Sequence, residues 1–426
     1  MMANAGHRRV AAAPSHYARR SMPVRRTKRG AERTPLAASH DVLICGASFA
    51  GLAVARELAG SGARVLVLDR YEIGERQTSA CGAPTAWLEA MGAAGAIRQT
   101  FDQLDFHTPY TDRVMRLPWS FSIFDYPDLC ALLWEQCEAE FETAKVEGLA
   151  NRPGPGEPID AELSFEVATD RGPVRAPLVV DALGWRRVLG AEGYQPPEGP
   201  LSRALEVHPR GSSDRMELWI ERGLVPAGYG WSFPAGDEVR IGVGSFDPNY
   251  HVKQPTVDLV SRLDRPAERY QGNWIPHRLR RATEGGVFFC GDSAGQCLPL
   301  TAEGIRTAFY FSIAAGRELR RVVEGHTDRA GALRSYAAFN ERHRWKFEAM
   351  LWAQRFFPRV PPRLLAPTLR AMSTDTFVRW WFRHYLNIAH PSFARGPASA
   401  DHEPGPDQEQ GDTDHPAGTD RSLLGA

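Results

Sequence analysis

The stretch DVLICGASFAGLAVARELAGSGARVLVLDR, residues 41–70, decides the fold. Four apolar residues lead into a turn of small side chains, an amphipathic segment follows, and a second apolar run closes on Asp69. Short continuous apolar runs read as strands covered on both faces, and the segment between them has helical periodicity. The pattern predicts a strand–helix–strand unit with parallel strands, the seed of a Rossmann-like α/β domain.

The small residues then give that unit a chemical task. Gly46 permits the tight turn after the first strand, and Gly51 lets the helix approach the sheet closely. The helix start offers unpaired N–H groups and a partial positive charge to a pyrophosphate. Asp69 lies about 20 residues on, the spacing expected of an acid that accepts hydrogen bonds from a ribose, and Arg70 follows at the same edge. Ser48 stands where the fingerprint usually has its second glycine, narrowing the gap and adding a hydroxyl. A bound dinucleotide is the expectation.

A second motif, GGVFFCGDSAGQCLPLTAEGIRTAFYFSIAAGREL at residues 285–319, selects flavin over nicotinamide. It reads as an apolar strand, a Gly-Asp turn and a long helix with Ile305, Phe309 and Ile313 at spacing four. A carboxylate at the strand end, Asp292, can hold a ribityl chain. A helix N-terminus near Gly304 can face the pyrimidine edge of a flavin and stabilise the reduced, anionic ring. On these motifs the chain resembles the FAD-dependent oxidoreductases of the p-hydroxybenzoate hydroxylase type over most of residues 41–320. That resemblance assigns Gly291, Asp292, Pro299, Gly304 and Ile305 to FAD, and Ala302 replaces a glycine usual in this loop.

Two further motifs point to one branch of those flavoproteins. In LVVDALGWRRVLG, residues 178–190, Leu183 takes the place of an aspartate that the hydroxylases carry, and the DAxGWRR form resembles the geranylgeranyl reductase family. In PAGYGWSFPAG, residues 226–236, alternation puts Tyr229, Trp231 and Phe233 on one face of an extended segment. By itself that is either an ordinary core strand or an aromatic wall. Pro226, Tyr229, Trp231, Phe233 and Pro234 match the PxxYxWxFP signature of the same reductases, which implies a cavity lining for an isoprenoid chain beside the flavin. The resemblance also places Cys81 and Gly82, in TSACGAP, beside the flavin; no neighbour in the sequence lowers the pKa of the thiol, so no proton-transfer role is expected for it. At Tyr126 many relatives carry an arginine that contacts FAD.

Composition bounds the alternatives. The 426 residues are 43% hydrophobic, enough for a sizeable core, and Lys+Arg and Asp+Glu both count 51, so no overall field recruits nucleic acid. Six scattered cysteines suggest neither a disulfide framework nor zinc, and the thirteen histidines have no metal-ligand spacing, so no metal and no catalytic histidine are expected. No apolar run reaches the roughly 20 residues of a membrane span.

The expected fold is α/β: a discontinuous Rossmann-like FAD-binding domain, an inserted antiparallel-sheet substrate domain and a C-terminal helical region. The expected segments are a disordered basic tail at 1–39, FAD-binding parts at 40–100, 125–200 and 281–329, and substrate parts at 101–124 and 201–280. Helices broken by Pro358, Pro361, Pro362 and Pro367 follow at 330–395, then a disordered acidic tail at 396–426. The expected activity is cytoplasmic, FAD-dependent reduction of C=C bonds in an isoprenoid or other lipophilic substrate. Electrons would come from NADPH, NADH or ferredoxin. The rivals are a monooxygenase of natural-product biosynthesis and a redox-neutral cyclase or isomerase. A halogenase would need a lysine, and none lies between Lys28 and Lys145. The Trp- and Arg-rich segment 345–390 reads either as a cap over the substrate pocket or as a membrane-surface contact.

Overall fold

In the computed structural model the first strand, Val42–Cys45, lies at the centre of a six-stranded sheet and is buried throughout. The structure describes residues 34–36, 39–77, 79–151, 164–191, 196 and 198–395. Contacts separate Met1–Pro35 from a compact unit, Leu36–Ala426, that holds every element below. The expected tails lie outside the described residues, except for residues 34–36 and 39.

The strand order across this sheet is Thr283–Glu284, Val287–Phe289, Leu178–Asp181, Val42–Cys45, Val65–Asp69 and Glu140–Thr143. Every pairing is parallel except the first. Alternation sends Val42 and Ile44 to one face, where they join the apolar sides of the helices Phe49–Glu57 and Ile305–Val323. Leu43 and Cys45 face the other way, onto Phe165 and Val167 of a three-stranded sheet that the sequence reading did not foresee. The two helices approach closely because Gly316 has no side chain: a Cβ there would lie 2.7 Å from Glu57 Cβ.

The second sheet has eight strands, in the order Gln271–Pro276, Leu201–Val207, Val239–Ser245, Gly228–Pro234, Glu217–Trp219, Ile97–Thr108, Thr111–Phe124 and Gly82–Pro84. It is antiparallel except at one joint, where Glu217–Trp219 runs parallel to Ile97–Thr108. Apart from that joint the sheet is antiparallel, as expected. The three-residue strand reaches its neighbour through a long connection, so no hairpin turn dictates its direction. One face of the sheet packs Val207, Ile241 and Val243 on the helix Lys253–Arg262 through Leu259 and Val260.

The C-terminal region is helical as expected, with Arg329–Arg342, Arg344–Phe356, Pro362–Met372 and Asp375–Leu386. Two of the prolines expected to break it do not. Pro362 opens a helix, where its missing N–H would have had no partner. Pro367 lies inside the same helix, whose exposed Arg363 and Pro367 leave the freed carbonyl to water.

Candidate flavin and substrate site

The carboxyl ends of the parallel strands gather the motifs that lie far apart in the chain. Gly46 turns sharply, with φ at 113°, and a Cβ on it would lie 2.2 Å from the Ala182 carbonyl oxygen. A Cβ on Gly51 would lie 1.8 Å from the Gly46 carbonyl oxygen, so only glycine lets the helix start this close to the strand end. The helix has Ser48 at its N-cap without a side-chain cap bond, and its first turn holds no acid. Asp69 accepts hydrogen bonds from the Ala47 and Tyr71 N–H groups, at 2.9 and 3.1 Å, and burial raises its pKa. Arg70 is exposed and lies over the Tyr71 ring. Gly291, with φ at 62°, comes against Ala50 of the same helix.

Asp292 stands apart from these. It keeps partial solvent contact, and burial alone pushes its carboxyl up to about 6. Among the described residues no donor reaches this carboxylate. Its Oδ1 lies 3.9 Å from where a Gly304 Cβ would be, and Gly304 caps the helix Ile305–Val323, whose first turn also lacks an acid. Pro299 and Ile305 are buried at the two sides of this loop.

Asp181 and Arg187 brace the site from below. Asp181 is fully buried and accepts from the Leu183 and Leu189 N–H groups and the Ser293 hydroxyl, at 3.0, 2.7 and 2.7 Å. The Arg187 guanidinium lies 3.4 Å over the Phe289 ring and donates to the Arg281 and Ser293 carbonyls. The DAxGWRR motif thus ties its strand end to the Gly-Asp turn.

The aromatic strand Gly228–Pro234 meets the 299–304 loop at one end. The Tyr229 hydroxyl donates to the Thr301 carbonyl at 2.6 Å, and Cys297 and Glu303 face the same ring. Ala302, in place of the usual glycine, is held at φ 52°, a left-handed backbone that costs a non-glycine residue roughly 1 kcal/mol or more. Trp231 follows 6.2 Å from Tyr229 between ring centroids, and Phe233 lies 6.4 Å beyond. Phe233 packs on the cluster of Phe101, Ile123, Met216 and Ala235. Ile123 also touches the place a Gly82 Cβ would take, so the wall runs from the 299–304 loop to the Cys81–Gly82 segment. Gly230, between the rings, faces the opposite way, onto Leu224 and Leu259.

Cys81 is fully buried at φ 57°, its thiol directed to the Ser79 carbonyl, and burial raises its pKa far above the ordinary thiol range. Tyr126 and Ser48, two of the positions where the sequence departs from the motifs it resembles, are in contact: the tyrosine hydroxyl donates to Ser48 Oγ at 3.1 Å. Sequence reasoning missed Glu303, Arg306 and Tyr385. Buried Arg306 pairs with Glu303 at 2.5 Å and donates to the Tyr385, Leu386 and Ala389 carbonyls, and the Tyr385 hydroxyl reaches both Glu303 and Thr301. The Asp375–Leu386 helix is therefore tied to the 299–304 loop. The outer surface of the C-terminal region leaves Trp345, Trp352, Phe356 and Trp380 exposed. All six cysteines are free, and among the described residues no cluster suited to a metal and no helix long and apolar enough to cross a membrane occurs.

A dinucleotide with a flavin head fits these residues: two helix starts without acids, glycines where a Cβ would meet backbone, and a carboxylate lacking a donor. The class so defined is a flavoprotein, and comparison with known proteins agrees. Residues 39–117 match the FAD binding domain model. The chain is similar to digeranylgeranylglycerophospholipid reductase 3 of Methanosphaera stadtmanae, 23% identical over 71% of this chain and 83% of that protein. Its fold is shared with a geranylgeranyl bacteriochlorophyll reductase-like protein of Thermoplasma acidophilum, at a TM-score of 0.69 and 17% identity, over 84% of this chain and 98% of the other. A Pseudomonas aeruginosa protein described as a probable FAD-dependent monooxygenase shares it at a TM-score of 0.58 and 18% identity, over 75% and 96%. The chain is an FAD-dependent oxidoreductase, and its curated relatives are geranylgeranyl reductases.

Proposed function

We propose that the protein reduces C=C bonds of an isoprenoid or similarly lipophilic chain, using FAD that an external donor, nicotinamide or ferredoxin, has reduced. The observation that carries this reading is the aromatic wall. Three rings face away from the supporting helix, and their near end is hydrogen-bonded to the loop beside Asp292 and Gly304. Flat apolar rings give a polyene a large contact area and keep water from a hydride transfer.

In this reading Gly46, Ser48, Gly51, Asp69 and Arg70 hold the adenosine and pyrophosphate half of FAD. Cys81, Gly82, Gly291, Asp292, Pro299, Gly304 and Ile305 surround its flavin half. When bound, FAD supplies the hydride; the chain's residues bind, orient and exclude water. We assign the six-stranded sheet to the FAD-binding half and the eight-stranded sheet to the substrate half.

The test is product mass. Pre-reduced enzyme mixed anaerobically with polyprenyl lipids should reoxidise and return products heavier by two hydrogens. A gain of oxygen in air means a monooxygenase, unchanged mass means a cyclase or isomerase, and either result overturns the proposal.

A further inference from the structure

A reduction of C=C needs a proton as well as a hydride, and the face that carries the aromatic wall also carries a buried acid. Register places Gln271, Glu206, Gly242 and Trp231 side by side on four adjacent strands. Ile241 and Val243 point to the helix Lys253–Arg262, so Gly242 and Glu206 point to the side of the wall. Gly242 is what joins them. A Cβ there would lie 2.3 Å from Trp231 Cζ2 and 2.7 Å from Glu206 Cβ, so the indole lies across the bare glycine and reaches the carboxylate. Trp231 Nε1 donates to Glu206 Oε2 at 3.1 Å.

Glu206 is 4% exposed. One line of its neighbours leads outward. His208 Nε2 lies 3.0 Å from Glu206 Oε1, and His208 Nδ1 lies 3.7 Å from Glu238. Glu238 has one-fifth of its side chain in solvent and is paired with Arg240 at 3.0 Å and Arg269 at 3.1 Å. On the inner side, Gln271 donates to Glu206 and to the Ser79 carbonyl, Arg240 donates to the Ala80 and Phe124 carbonyls, and Cys81 lies within electrostatic reach of both Arg240 and Glu206. The groups facing Glu206 are thus Trp231, Gln271, His208, Arg240, Glu238 and Cys81.

We propose that Glu206, fed through His208 and Glu238, delivers the proton to the substrate carbon adjacent to the one that receives hydride. The inference rests on the reductase reading above. In the balanced step the reduced cofactor gives the alkene one hydrogen with its electron pair, and the π pair forms the second C–H bond with a proton from Glu206. The alkene is reduced, the cofactor is oxidised, and a solvent proton replaces the one lost by way of Glu238 and His208. A carboxylate buried beside rings and joined to solvent by an imidazole can exchange protons without admitting water to the lipophilic cavity.

The test separates proton delivery from cofactor chemistry. In the E206Q variant, reoxidation of reduced enzyme by a polyprenyl substrate should slow by about 100-fold, within the range for loss of a general acid, while reoxidation by oxygen and affinity for FAD stay at wild-type values. E206D should recover part of the rate. In the apoprotein, the ¹⁵N-labelled Trp231 indole resonance, assigned through W231F, should titrate with pH, and H208Q should abolish or displace that titration. Should E206Q fail to fold, H208Q carries the rate test as well. A loss of less than about tenfold in both variants, or an indole titration untouched by H208Q, overturns the relay. A wild-type enzyme that leaves the substrate unsaturated overturns the reductase reading instead, and the relay with it.

Discussion

Replacing Asp292 with asparagine should move stability and cofactor affinity in opposite directions. A carboxyl lifted from 3.8 to about 6 is worth about 3 kcal/mol against ionisation at about 1.4 kcal/mol per tenfold. Partial solvent contact reduces that to about 1–2 kcal/mol. The folded-state value is the raised one, so this group favours the folded apoprotein below pH 4, and that contribution is lost as pH rises through about 6. D292N removes the penalty. The apoprotein variant should therefore be more stable than wild type by about 1–2 kcal/mol at pH 8, on the order of 2 °C in Tm for a chain of this length, and no different at pH 4. FAD affinity should behave the other way. Flavin hydroxyls that donate to the ionised carboxylate are worth about 1.5–3 kcal/mol, so D292N should bind FAD roughly 10- to 100-fold more weakly at pH 8. Wild-type affinity should fall toward that of the variant as pH drops below about 6. Thermal unfolding of apoprotein and flavin-fluorescence titration at several pH values read both arms. Equal stability at pH 8, or wild-type FAD affinity in D292N from pH 5 to 8, would refute the assignment.

Asp181→Ala takes the acceptor from the Leu183 and Leu189 N–H groups, while the Ser293 hydroxyl keeps the Gly184 carbonyl at 3.0 Å, and should cost about 2–3 kcal/mol in urea unfolding of the apoprotein; a loss below about 1 kcal/mol would show that the motif does not brace the Gly-Asp turn. Gly242→Ala forces a Cβ into the Trp231 ring and should cost about 1–3 kcal/mol, with a displaced indole resonance. Gly230→Ala comes too close only to the flexible ends of Leu224 and Leu259, the Gly242 carbonyl staying at an ordinary 3.5 Å, so it should cost less, and an equal loss would refute that ranking. Between Arg342 and Arg383 the sequence carries nine basic residues against Glu348 and Asp375, beside exposed Trp345, Trp352 and Trp380. Co-sedimentation with anionic vesicles should accordingly be measurable at low salt, weaken as salt rises, and fall further in W352S/W380S; salt-independent binding would exclude this surface.

Much of the fold was legible because its strongest signals are local. The run at 41–70 announces two parallel strands and the helix between them, and Gly51 is needed for a contact with Gly46 inside the same motif, although the contact that Gly46 itself permits is with the distant Ala182 carbonyl. Pro367 was misread because a proline's cost depends on whether the freed carbonyl can meet water, which the sequence alone does not state. The parallel joint at Glu217–Trp219 was not legible because a three-residue strand takes its polarity from the path of the preceding connection. The three-stranded sheet at 146–176 was missed because its strands are only three to five residues long.

The site divides along a similar line. Asp292 and the Tyr229, Trp231 and Phe233 rings sit in motifs whose spacing points to them, whereas Glu206 sits in the unremarked run LEVH and looks in sequence like a surface glutamate of an edge strand. Register decides otherwise. On the adjacent strand, Gly242 leaves a gap that the Trp231 indole of the next strand fills, and the indole N–H then needs an acceptor in a place closed to water. Glu206 supplies it, and His208, two residues on and on the same face, gives that carboxylate its way out. An aromatic wall with Phe in place of Trp231 would need neither residue. The tryptophan in the middle of the signature is therefore the one ring that couples the wall to a proton source, and its nitrogen matters as much as its area.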